Sequence, residues 1–157
     1  MRRIVLLGLV GGIGVAGLLI AVWPGAEADS PGLRPDDRAE VQLGAAIYAA
    51  QCASCHGAGL EGQPDWRSPG PDGVLPAPPH DATGHTWHHD DATLITLTRD
   101  GVGALLGPDM RVNSGMPVFK DVLTDAEIRA ALSYIKSTWP AEVRATHDAI
   151  NARAEGR

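Results

Sequence analysis

Cys52-Ala53-Ser54-Cys55-His56 holds both cysteines of a 157-residue chain. Cys-x-x-Cys-His is the attachment signal of a c-type heme, and the spacing has a geometric reason. Two thiols three positions apart reach the two vinyl groups of a porphyrin and form thioethers, while the next residue swings its imidazole under the iron. The competing readings lack their context. A thioredoxin-like dithiol needs a strand–helix setting within a βαβ pattern, and none is visible. A structural zinc site needs four closed ligands, and there is no second cysteine pair. Pairing the two cysteines with each other would leave a loop-rich chain without a core.

The flanking sequence predicts helices around that motif. Asp36 or Asp37 caps a helix running to about Gln51, with Val41, Gly44, Ala45 and Tyr48 on one face, and this helix delivers Cys52. Residues 57–79 are dense in Pro and Gly and read as ordered loop. Asp90 or Asp91 caps a short helix through Leu94, Ile95 and Leu97 that ends at Gly101, and residues 101–123 form a second long loop. Thr124 and Glu127 make a capping box for the best-specified helix, where Ile128, Leu132, Ile135 and Trp139 recur at helical spacing until Pro140. The tail 141–157 permits a helix but has mixed charge, and is expected to extend beyond the core. Three helices on long loops make sense around a large apolar object, which the motif supplies.

Composition narrows the function. The chain has net charge −6, and residues 1–28 carry Arg2 and Arg3 against Glu27, a net +1, which leaves −7 on the remaining 129 residues. That is one domain's worth of chain with the wrong charge for a nucleic-acid binder. Behind Arg2-Arg3, the uncharged run Ile4 to Val22 would span roughly 28 Å as a helix, enough to cross a bilayer with the N-terminus inside. Residues 1–23 therefore read as a signal-anchor, followed by a Pro- and Gly-containing linker at 24–35. The rival is a signal peptide cleaved after Ala28, because Ala26-Glu27-Ala28 fits an A-x-A site. Either way the domain at 36–140 is expected outside the cytoplasmic membrane, anchored by residues 4–22 or released into the periplasm.

Over roughly residues 36–140 the chain resembles a class I cytochrome c. The resemblance rests on Gly44-x-x-x-Tyr48 before the Cys-x-x-Cys-His motif, the loop Asn113-Ser114-Gly115-Met116-Pro117, the capping box at Thr124, and Ala131 to Pro140. It implies an all-α fold, with three main helices around one covalently bound heme c. Cys52 and Cys55 would be the thioether donors, His56 the proximal and Met116 the distal ligand of the heme iron. Gly44 and Tyr134 would lie where the first and last helices cross. The family's proline, whose carbonyl holds the proximal histidine, has Pro78 and Pro79 as candidates. Residues 62–66 and 78–89 resemble features of the monoheme, often membrane-anchored bacterial branch. An iron with both axial positions filled points to an electron carrier rather than a catalyst. Its expected partners are redox proteins such as an oxidase, a dehydrogenase or another cytochrome.

Other residues leave alternatives open. His80, His85, His88 and His89 crowd around Trp87, which admits a copper- or zinc-binding loop or a histidine in place of Met116. The plainer reading is hydrogen bonding to heme propionates or turn backbone. Met110 is a second candidate thioether, but no proline follows it to stiffen its turn. The rival function to electron transfer is a binding module, either a heme-based gas sensor or a copper-binding protein using the His80–His89 loop. Asp36, Asp37, Asp90 and Asp91 are better explained as helix caps than as acid/base pairs.

Overall fold

A computed structural model describes residues 32–106 and 113–156. The expected anchor at 1–23, the linker as far as residue 31, and Met110 lie outside the described residues. No helix among the described residues is long and apolar enough to cross a membrane. Helices α1 (Arg38–Gln51), α2 (Ala53–His56), α3 (Asp91–Asp100), α4 (Asp125–Ser137) and α5 (Ala141–Glu155) follow in order, with short 3-10 turns at Thr86–His88 and Val102–Leu105. Among these residues there is no strand, only an isolated bridge between Leu75 and Ser114. The architecture is all-α, as in the class I cytochrome c fold.

Helices α1, α3 and α4 each start at a side-chain cap, whereas α5 starts behind Pro140 without one. Asp37 Oδ1 accepts from the backbone N–H of Ala39 and Glu40 at 2.9 and 3.1 Å, which satisfies two orphan donors at the start of α1. Asp90 Oδ1 does the same for Thr93, 3.0 Å away, and α3 ends at Gly101, whose φ of +85° suits glycine. At α4 the box is complete. The Thr124 hydroxyl accepts from the Glu127 N–H at 3.3 Å, and the Glu127 carboxylate accepts from the Thr124 N–H at 2.8 Å. The Thr124 N–H and then its hydroxyl, each donating to that carboxylate at 2.8 Å, hold the Glu127 carboxyl below its ordinary pKa. Asp36 and Asp91, the other two candidate caps, instead bind distant parts of the chain.

Helices α1 and α4 pack face to face, and Gly44 is what allows it. A Cβ at Gly44 would run into the Ala130 carbonyl and sit 2.9 Å from Tyr134 Cβ. The Ser133 hydroxyl, fully buried on α4, ties the pair by donating to Glu40 Oε1 at 2.9 Å and accepting from Arg34 N–H at 2.9 Å. Because the obstacle at Gly44 is backbone on a packed helix, Gly44→Ala is expected to cost at least the ~1–3 kcal/mol typical of overpacking. Urea denaturation should show a clearly lowered midpoint. An unchanged midpoint would mean that the two helices are not so close.

The segment 141–157 does more than permit a helix. Its α5 is fastened to the domain by polar contacts. Asp91 N–H donates to Asn151 Oδ1 at 2.8 Å while Asn151 Nδ2 donates to Asp91 Oδ1 at 3.0 Å. Lys136 Nζ donates to Asp148 at 2.6 Å, and Arg144 donates to both oxygens of Asp36 at 2.8 Å. His147 is wholly buried against Trp139, with Nε2 3.4 Å from Asp91 Oδ1. The expectation that this tail leaves the core fails for these residues, because the docking is polar and leaves no apolar stripe to read.

Candidate heme site

The Cys-x-x-Cys-His motif sits at the junction of α1 and α2. Cys52 closes α1 by donating its N–H to the Tyr48 carbonyl at 2.9 Å, and its own carbonyl accepts from His56 N–H at 2.9 Å. The Tyr48 hydroxyl then donates to the Gly57 carbonyl at 3.0 Å, so a core side chain locks the end of α2. Burial, followed by nearby Cys52, pushes the Tyr48 phenol far above its usual range. Both thiols are free. Cys52 is half-buried against the apolar core and Cys55 is exposed. Burial, then Cys55, pushes the Cys52 thiol up to about 11, so it stays protonated at neutral pH.

His56 is buried, and its Nδ1–H donates to the Pro78 carbonyl at 2.8 Å. A carbonyl only accepts, so this bond fixes the tautomer and leaves the Nε2 lone pair for a metal. Burial lowers the pKa of the ring, while the Pro78 carbonyl pulls the other way. The ring is therefore neutral, as a ligand must be. Of the two proline candidates, Pro78 is the one that holds it. The loop reaches His56 because Gln63 braces it: Gln63 N–H donates to the Ala77 carbonyl and Ala77 N–H to Gln63 Oε1, both at 2.8 Å. Gly62, at φ +67°, lies against Pro78 and Pro79 where any Cβ would collide. The stretch 62–66 thereby gains a role that its sequence did not disclose.

Met116 is half-buried and packs against the same core cluster as Cys52, a cluster that includes Tyr48, Leu60, Leu94 and Phe119. Its loop is pinned on both sides. Met116 N–H donates to Ser114 Oγ at 3.1 Å, and Phe119 and Lys120 donate backbone N–H groups to Thr98 and Arg99 on α3 at 3.3 and 3.0 Å. The isolated bridge from Ser114 to Leu75 and the bond from Asn113 Nδ2 to the Asp72 carbonyl, at 3.4 Å, join it to the loop after His56.

The four histidines that crowd together in sequence face different partners, although His85 and His89 still meet edge to face at 5.5 Å. His80 stacks on His56, His85 on Trp66 and His88 on Trp87, at ring distances of 4.0, 5.3 and 3.7 Å. Among the described residues, no three His, Cys, Asp or Glu side chains stand close enough together to hold a metal ion. Burial, with smaller contributions from His56 and His85, drives the His80 imidazole down to about 3. Nothing in the residue pattern signals that His80 alone faces the motif histidine.

Residues 41–139 match the family model described as cytochrome c. The chain belongs to the cytochrome c family. No curated protein and no solved structure gives a significant match. Membership makes the protein a heme-based electron carrier with covalently bound heme c, and Cys52 and Cys55 fit its attachment motif. The donor set suits that group: two unpaired thiols on one turn, a neutral imidazole with Nδ1 already committed, and a thioether on a pinned loop.

Proposed function

We propose that this cytochrome is a monoheme, bacterial-type carrier. It would relay single electrons between respiratory or dehydrogenase partners outside the cytoplasmic membrane, tethered by residues 4–22 or released after Ala28. Cys52 and Cys55 are its thioether donors, His56 the proximal ligand and Met116 the distal one. The observation that carries the reading is the 2.8 Å bond from His56 Nδ1 to Pro78, beside two free thiols. Heme bound there supplies a one-electron iron couple, and ligation by imidazole and thioether raises its potential over a bis-histidine site.

The chain's own contribution is to hold still. Pro78 fixes the ligand tautomer, the core around Tyr48 and Leu60 excludes water, and the pinned Met116 loop keeps a thioether within the core. A rigid, closed setting lets charge change with little rearrangement and offers substrate no open position. The acidic surface, at −7 outside residues 1–28, favours a redox partner with a basic docking face.

One experiment addresses both the place and the stoichiometry. Membranes from producing cells are washed in alkaline carbonate and the retained heme is titrated reductively. The pellet should keep the protein, and one electron per chain should be taken up in a single step. A protein in the supernatant with Asp29 as its first residue would establish the released form, whereas two resolved steps would rule out a monoheme carrier.

A further inference from the structure

His80 differs from its three neighbours in what it faces. Its imidazole lies on the ring of His56, with centroids 4.0 Å apart and planes 25° from parallel. His85, by contrast, is exposed and stacks on Trp66. The backbone of His80 is held on both sides: its N–H donates to the Leu60 carbonyl at 2.8 Å, and its carbonyl accepts from Trp139 Nε1 at 2.8 Å. Its ring shares a 2.9 Å hydrogen bond between Nδ1 and the hydroxyl of buried Thr86. Leu60 makes this possible at a local cost. It is a buried non-glycine residue at φ +68°, a left-handed conformation that turns its carbonyl toward residue 80.

A ring held at Nδ1 by one carbonyl can still tilt its plane through small changes in its χ1 and χ2 torsions that keep the bond. A flat partner against its face removes that freedom. We propose that His80 is a positioning residue for the axial imidazole: stacked on His56 and locked by Leu60, Trp139 and Thr86, it sets the plane of the ligand ring. The plane matters because an imidazole's π lobes overlap one of the two iron d orbitals they can reach more than the other, so ring orientation sets the asymmetry of the iron's electronic state. This inference rests on the reading of His56 as the axial ligand.

The test uses the full-length ferric holoprotein and reads orientation, not activity, from the spread of its electron paramagnetic resonance g-values and the order of its heme-methyl proton resonances. His80→Leu, which removes the flat face, should shift both. His80→Phe, which keeps the face and loses the polar atoms, should restore the wild-type order. Thr86→Val, which frees the His80 ring, should produce a smaller shift in the direction of His80→Leu. Wild-type spectra in His80→Leu, or a His80→Phe protein as far from wild type as His80→Leu, would overturn the proposal. Should His80→Leu fail to assemble, Thr86→Val decides, and wild-type spectra there overturn it equally. A His56→Ala protein that kept the wild-type low-spin spectrum would instead overturn the ligand reading, whatever the His80 variants show.

Discussion

Met116→Leu is expected to abolish the far-red sulfur-to-iron absorption of the ferric protein and to open the iron to carbon monoxide or cyanide. Leucine keeps the volume and the apolar contact with the core cluster, so the loop should remain folded while its only donor atom is lost. The loop itself favours position 116. Pro117 fixes its own φ and biases Met116 toward extended backbone, and the Met116 N–H is already spent on Ser114 Oγ at 3.1 Å. Anchors from Phe119 and Lys120 to α3 limit how far the segment can swing. The potential should fall, because losing the thioether removes the ligand that favours the ferrous state. Met110→Leu serves as the control and should leave the band intact. Loss of the band in Met110→Leu with retention in Met116→Leu would move the ligand to residue 110.

Cys52→Ala combined with Cys55→Ala should remove all heme stain from the protein after denaturing electrophoresis. Each single variant should keep some, since one thioether still survives denaturation. The double variant should also be much less stable than wild type, because a core with few large side chains would lose the heme that the proposed site encloses. Tyr48, Phe119 and Trp139 are the only buried aromatic residues of the Trp, Tyr and Phe type among the described residues. Stain that persists unchanged in the double variant would disprove covalent attachment at these positions.

Much of the fold could be read from local signals because caps and periodicity act over three or four residues. Thr124 and Glu127 announce α4, and Asp37 and Asp90 are the capping members of two adjacent acidic pairs. Which member caps is a matter of register, and the partners that claim Asp36 and Asp91 are Arg144 and Asn151, far along the chain. The same distance hid the docking of α5. Polar pairs such as Lys136 with Asp148, and a buried His147, carry no hydrophobic period to detect. At the site, the motif points to Cys52, Cys55 and His56, since its spacing matches the chemistry of heme attachment. Spacing could not choose between Pro78 and Pro79, because the choice depends on how Gln63 folds the loop back. Nor could it separate His80 from His85 and His88. Neighbours in an irregular loop point to different sides, and each of these rings finds a different aromatic partner.

The central claim is an electron carrier with both axial positions closed. The most direct measurement is the optical spectrum of the dithionite-reduced wild-type protein before and after saturation with carbon monoxide at neutral pH. An unchanged spectrum is the predicted result. A shifted Soret band at saturating gas would show an exchangeable axial position, contradict the carrier account and favour a gas sensor.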